Sequence, residues 1–116
     1  MKKTASVKFR RIPIPVIKKA ALKIVSAVHP EKIILFGSYA HGRPDVDSDV
    51  DFLLIVRENR RARQNQIYFR ASKALDPYPF PCDILIRSAN DISWRIKEGD
   101  FFLKEVMSKG RILYER

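Results

Sequence analysis

Ile33-Ile34-Leu35-Phe36-Gly37-Ser38-Tyr39-Ala40-His41-Gly42, then a polar turn, then Ser48-Asp49-Val50-Asp51-Phe52-Leu53-Leu54-Ile55-Val56: this stretch decides how the chain reads. A buried apolar strand, Lys32 to Phe36, delivers a Gly-Ser turn. After ten intervening residues a second apolar strand, 49–56, opens with two carboxylates. Side chains alternate along a strand, so Asp49 and Asp51 project to one face and can share divalent cations.

Magnesium takes hard oxygen ligands and binds through one or two carboxylates together with substrate phosphates. Two aspartates beside Val50, Phe52 and Leu53 would otherwise carry uncompensated charge into an apolar strand, a cost that a metal and a nucleotide relieve. Glycine lets the backbone approach a phosphate closely. Ser38 is placed to cap a short following helix whose free N–H groups attract anions. Alone, a Gly-Ser pair is a turn and Asp-x-Asp a solvated strand edge or a cap. Their placement at the ends of two successive apolar strands points to phosphoryl or nucleotidyl transfer, with the triphosphate between turn and acidic pair.

Asp83 interrupts the apolar run Cys82-Asp83-Ile84-Leu85-Ile86 and needs a partner there. If that third strand, 82–87, lies beside the second, Asp83 joins Asp49 and Asp51 within reach of a second metal. Neighbouring Cys82, the one cysteine, should then point the other way into the core, and it can form no internal disulfide. His29 and His41 have no ligand at useful spacing, which argues against a Cys/His metal site.

Gly37-Ser38, the ten-residue interval and Asp49-x-Asp51 resemble the signature of the minimal nucleotidyltransferases, small relatives of the DNA polymerase β superfamily. The resemblance runs from about Lys32 to Glu115: Cys82 to Ile86 is similar to the family's strand with a third carboxylate, and Lys109-Gly110-Arg111-Ile112-Leu113-Tyr114-Glu115 to its usual ending. It implies an α/β (α+β) fold, a small mixed sheet packed with helices like the polymerase palm. It also implies ATP as donor, with Mg²⁺ (two ions, Mn²⁺ as the substitute) held by Asp49, Asp51 and Asp83. Gly37 and Ser38 would grip the β and γ phosphates. The family often has arginine where this chain has His41, so Arg43 is the candidate for that phosphate contact. The resemblance further implies an antitoxin that silences a small helical HEPN ribonuclease by placing AMP on one of its tyrosines. Two alternatives remain: an RNA-tailing or nucleic-acid-binding protein, and a small-molecule adenylyltransferase of the aminoglycoside type, which normally adds a second domain to hold its drug.

With 116 residues the chain fits one domain, 1–116, with a basic and flexible tail at 1–11. The formal net charge of +10 favours polyanions: nucleic acid, a triphosphate or an acidic protein face. Aromatic residues are not interleaved with the basic ones in a stacking pattern, which weakens a single-strand-binding reading. No hydrophobic run approaches a membrane span and no signal-peptide core is recognised, so a cytoplasmic protein is expected.

Helices are expected over 16–28, 61–75, from Ser88 through Ile96, and over 100–108, with a last strand over 112–114. Trp94, Phe101 and Phe102 are expected in the core or an interface. Tyr39 reads equally as a site or a packing residue.

Overall fold

The computed structural model describes residues 11–116, so the basic tail expected at 1–11 falls, except for Arg11, outside the described residues. Helix α1 spans Ile14–Val28. Pro13 stands at its N-cap and Pro15 inside its first turn, where a fixed φ and a missing N–H cost nothing. Those prolines start the helix two residues earlier than periodicity suggests. Its apolar stripe buries Ile17, Ala20, Ala21 and Ile24. It stops at His29, which turns left-handed (φ 49°) and donates its N–H to the Val25 carbonyl at 2.9 Å.

Strand β1 (Lys32–Phe36) and strand β2 (Val50–Val56) pair antiparallel, with Phe36 opposite Asp51. Helix α2 (Arg61–Ala74) then crosses over to strand β3 (Cys82–Ser88), which lies parallel to β2. A parallel neighbour requires such a crossover, whereas β1 and β2 need only a loop. Two short helices follow. In α3 (Ala89–Lys97) Ser88 caps the first turn by accepting the Asp91 N–H at 3.0 Å, and in α4 (Phe101–Lys109) Asp100 accepts that of Leu103 at 2.9 Å. Strand β4 (Arg111–Glu115) closes the order β3-β2-β1-β4, antiparallel to β1 with a bulge opposite Ile33/Ile34.

The sheet has a helical layer on each face, so β2 is covered on both sides and its sequence is nearly all apolar. On one face α1 and α2 enclose the larger core, built on Ile33, Leu35, Val50, Phe52, Leu54 and Val56. On the other, α3 and α4 cover a smaller cluster of Ile34, Leu53, Ile55, Ile92, Leu103 and Val106.

Several expectations change. Strand β2 begins at Val50, so Asp49 stands just ahead of it. The segment after Ser38 forms turns and not a short helix: Gly42 follows too soon, and the Gly37 carbonyl receives both the Ala40 and His41 N–H groups, at 3.0 and 3.2 Å. Trp94, Phe101 and Phe102 are not in the core; they are 63%, 80% and 54% exposed, because α3 turns Ile92 and α4 turns Leu103 and Val106 to the sheet instead. No described helix is long and apolar enough to cross a membrane.

Candidate active site

Gly37 ends β1 with φ +78°, a conformation that a side chain would strain. A second constraint acts at the same atom: a Cβ on Gly37 would run into Oδ2 of Asp51. The turn and the carboxylate are therefore packed against one another through the space that only glycine leaves open.

The loop is held from several sides. Arg43 N–H donates to the Ser38 carbonyl at 3.0 Å, and Tyr39, 4% exposed, accepts the Ile12 N–H on its hydroxyl at 3.2 Å. Arg11 donates from Nη2 to the Gly42 carbonyl at 3.1 Å. Tyr39 is thus a packing residue. Between Gly42 and β2, Asp45 and Ser48 hold a tight turn, Ser48 Oγ accepting the Asp45 N–H at 2.8 Å and Asp45 accepting the Asp47 N–H at 2.9 Å. The Ser38 N–H has no backbone acceptor among the described residues.

The third carboxylate arrives through the sheet. Asp51 and Asp83 are register partners in the parallel pair, and the Val50 N–H donates to the Pro81 carbonyl at 3.0 Å, tying the starts of both strands together. Asp83 and Leu85 share the face turned to α3 and α4, while Cys82 packs against the larger core. Asp51 is half-buried; Asp49 and Asp83 are exposed. Burial, then the charge of Asp83, then that of Asp49, push the Asp51 carboxyl up to about 6. The same environment pushes the Cys82 thiol up to about 11, again chiefly by burial, so it is protonated at neutral pH.

None of the ion pairs formed by the described residues involves Asp49, Asp51 or Asp83. Among the described residues, no cation pairs with their negative charge. Among the described residues, no three or more His, Cys, Asp and Glu side chains close into a ready-made metal cage. Hard oxygen donors, excess charge and an incomplete cage fit magnesium, which keeps waters and takes substrate phosphates as further ligands. They do not fit a structural site supplied by protein alone.

Two concavities meet at Gly37 and His41. A cleft of about 260 Å³ runs from Phe36 and Gly37 to Phe101, Phe102 and Lys109 on α4 and its end. An open depression of about 600 Å³ is lined by Gly37, Ser38, His41 and Arg43, so the turn residues and the candidate arginine come together there. The α4 wall of the first cleft went unread in the sequence. Phe36 and Phe102 meet edge to face with centroids 5.6 Å apart, and nothing in a nine-residue helix distant in sequence signals that contact.

Residues 16–113 match the nucleotidyltransferase domain family. The chain belongs to that family. Over 56 residues it is 41% identical to MJ0141 of Methanocaldococcus jannaschii, whose name assigns it provisionally as a protein adenylyltransferase. That match takes in 48% of this chain and 54% of the relative, so the chain spans about half the length of the curated relative it matches. Among solved structures, a nucleotidyltransferase of Sulfolobus solfataricus, so named provisionally, superposes with a TM-score of 0.60 over 89% of this chain and 80% of its own at 16% identity. A toxin–antitoxin complex with AMP-PNP gives a TM-score of 0.53 over 85% and 73% at 18% identity. A mutant of the toxin–antitoxin MntA-HpeT gives 0.51 over the same shares at 16%. At these identities the structural likeness shows the fold, and the minimal nucleotidyltransferases suggested by the motif are consistent with all of it.

Proposed function

We propose that this nucleotidyltransferase domain transfers AMP from ATP to a hydroxyl of a partner protein, a tyrosine of a small helical HEPN toxin. The observation that carries the transfer is the juxtaposition of three carboxylates, without ion-pair partners among the described residues, with a glycine turn that can accept phosphate. Asp49, Asp51 and Asp83 would hold Mg²⁺, which supplies charge neutralisation of the phosphates and polarises the bond to be broken. Gly37 and Ser38 would bind the β and γ phosphates, and Arg43 would add a cation at the rim. The acceptor oxygen forms a bond to the α phosphorus as the bond from that phosphorus to the bridging oxygen breaks, and pyrophosphate leaves. Exposed Asp83 can take the acceptor's proton. Positioning and charge neutralisation carry such a reaction, so no side-chain nucleophile is needed.

Support for a protein acceptor comes from the name of the curated relative and from the toxin–antitoxin assemblies that share the fold. Incubation with ATP, Mg²⁺ and the product of the adjacent gene should raise that partner's mass by one or more AMP units. A partner left unmodified while RNA ends gain nucleotides would replace this reading with RNA tailing. Asp83→Ala should retain ATP affinity, measured by calorimetry, while losing transfer, because a group needed mainly in the transition state affects turnover more than binding.

A further inference from the structure

All the acidic residues of the chain lie outside α1 and α2. Helix α1 carries Lys18, Lys19 and Lys23, and α2 carries Arg61, Arg63, Arg70 and Lys73, with Arg60 at its N-cap. These two helices form one layer, on the sheet face opposite the one to which Asp51 and Asp83 belong. The other layer mixes signs: Asp91, Glu98, Asp100 and Glu105 stand among Arg95, Lys97, Lys104 and Lys109. Lysines 18, 19 and 23 and arginines 61 and 63 are exposed, and none joins an ion pair among the described residues. Arg70 differs, since its Nη2 donates to the Ala27 carbonyl at 2.8 Å and clips α2 to α1.

Within this layer stand two aromatic residues. Tyr68 and Phe69, 39% and 69% exposed, meet edge to face at 5.7 Å, between Arg63 and Arg70 in sequence. The structure thus qualifies the reading that aromatic and basic residues form no stacking pattern: they share one helix, where Phe69 stays 69% exposed despite its edge contact with Tyr68.

We propose that the outer surface of α1 and α2 binds single-stranded nucleic acid, with phosphates on the lysines and arginines and a base stacked on Phe69. Helices of 15 and 14 residues extend about 22 Å at 1.5 Å per residue, long enough to follow several nucleotides. A cationic track with an exposed aromatic platform matches the chemistry by which sequence-tolerant single-strand binders work. An acidic protein would match the charge but not the exposed aromatic face. The surface lies away from the carboxylates, so it would tether the domain to nucleic acid without entering the site, and it stands whether or not the acceptor is a protein.

The test uses fluorescence anisotropy with a labelled 20-nucleotide oligouridine, over a range of salt, on the full chain. Lys18→Gln, Lys19→Gln, Lys23→Gln together should weaken binding at least tenfold and flatten the log–log salt slope by about 2, as loss of three phosphate contacts requires at about 0.7 each. A charge-matched control on the other layer and its strand, Lys97→Gln, Lys104→Gln, Arg111→Gln, should stay within threefold. Circular dichroism should show both proteins folded. Phe69→Ser should weaken binding about fivefold or more, within the range of one lost base stack, with the slope unchanged. Equal losses in the two triple variants would overturn the proposal, because net charge alone would then account for binding. So would displacement of the RNA by polyglutamate at equal charge concentration, which would assign the surface to an acidic protein.

Discussion

The two faces of one sheet are built to different standards of closure. Under α1 and α2, Val50, Phe52, Leu54 and Val56 of β2 are buried without interruption. Toward α3 and α4, Leu53 and Ile55 are equally buried, but Asp51, the next position on that face, remains half-open. The shorter cover stops before the end of the strand, and the charge is tolerated where the cover stops. One strand thus serves packing on one face and, in the proposed function, chemistry at the uncovered end of the other.

The comparison breaks most completely if the open end can lose its charges without consequence. Asp49→Asn with Asp51→Asn should reduce AMP transfer by about 100-fold or more and abolish the metal dependence of ATP binding. Calorimetric titration with and without Mg²⁺ reads the second effect, and equal ATP affinity in wild type and variant would sink the metal assignment.

Next in size comes the difference in packing. Phe52→Ala on the closed face should cost about 3–5 kcal/mol of stability, while Phe102→Ala on the open one should cost about 1 kcal/mol or less. Urea unfolding of both variants gives the contrast directly. Similar losses would mean that α4 contributes as much to the core as α1 and α2.

Gly37→Ala sharpens the boundary between strand and site. Positive φ and the approach of Asp51 act together, so the substitution should cost about 1–3 kcal/mol and displace the carboxylate. A thermal melt together with ATP titration would show whether both are lost. A stable variant that binds ATP normally would show that the close approach is not needed.

The smallest effect has the opposite sign. Below about 4, the ordinary carboxyl value, Asp51 is protonated in folded and unfolded chains alike; between there and its raised value of about 6 the folded state holds the extra proton. This group's contribution therefore declines as pH rises through that window and stays unfavourable above it. In EDTA, Asp51→Asn should raise the melting temperature at pH 8 by about 4 °C, roughly what 1 kcal/mol produces in a domain near this size, with solvent contact holding the gain down. At pH 3.5 the gain should vanish. A constant gain at both values would assign it to something other than charge.

Much of this was legible in the sequence because it rests on local patterns. Apolar runs bounded by turn residues place β1, β2 and β3, and Pro13, Pro15 and Pro30 delimit α1. The alternation that sends Cys82 inward turns Asp83 to the other face. That β3 lies beside β2 was only a condition in the sequence; the structure makes the pair parallel through the α2 crossover and puts Asp51 and Asp83 in register. What escaped was non-local. A run such as Phe101-Phe102 reads as core until the sheet shows which side of α4 it takes. Tyr68 and Phe69 come into one layer with the α1 lysines only because two helices pack on one face of the sheet. The turn after Ser38 mimics a helix start, and the loop it opens is held by contacts of Arg11 with Gly42 and of Ile12 with Tyr39 that span many residues.

Those last contacts carry a mechanical consequence. Arg11 grips the far end of the motif loop at Gly42 and Ile12 hangs on Tyr39, both immediately ahead of the rigid α1. The two residues act as a bridle on the loop. A backbone cut between Arg11 and Ile12, or tension drawn on Arg11 from the basic segment before it, would change the slack in that bridle and move the turn without touching a carboxylate.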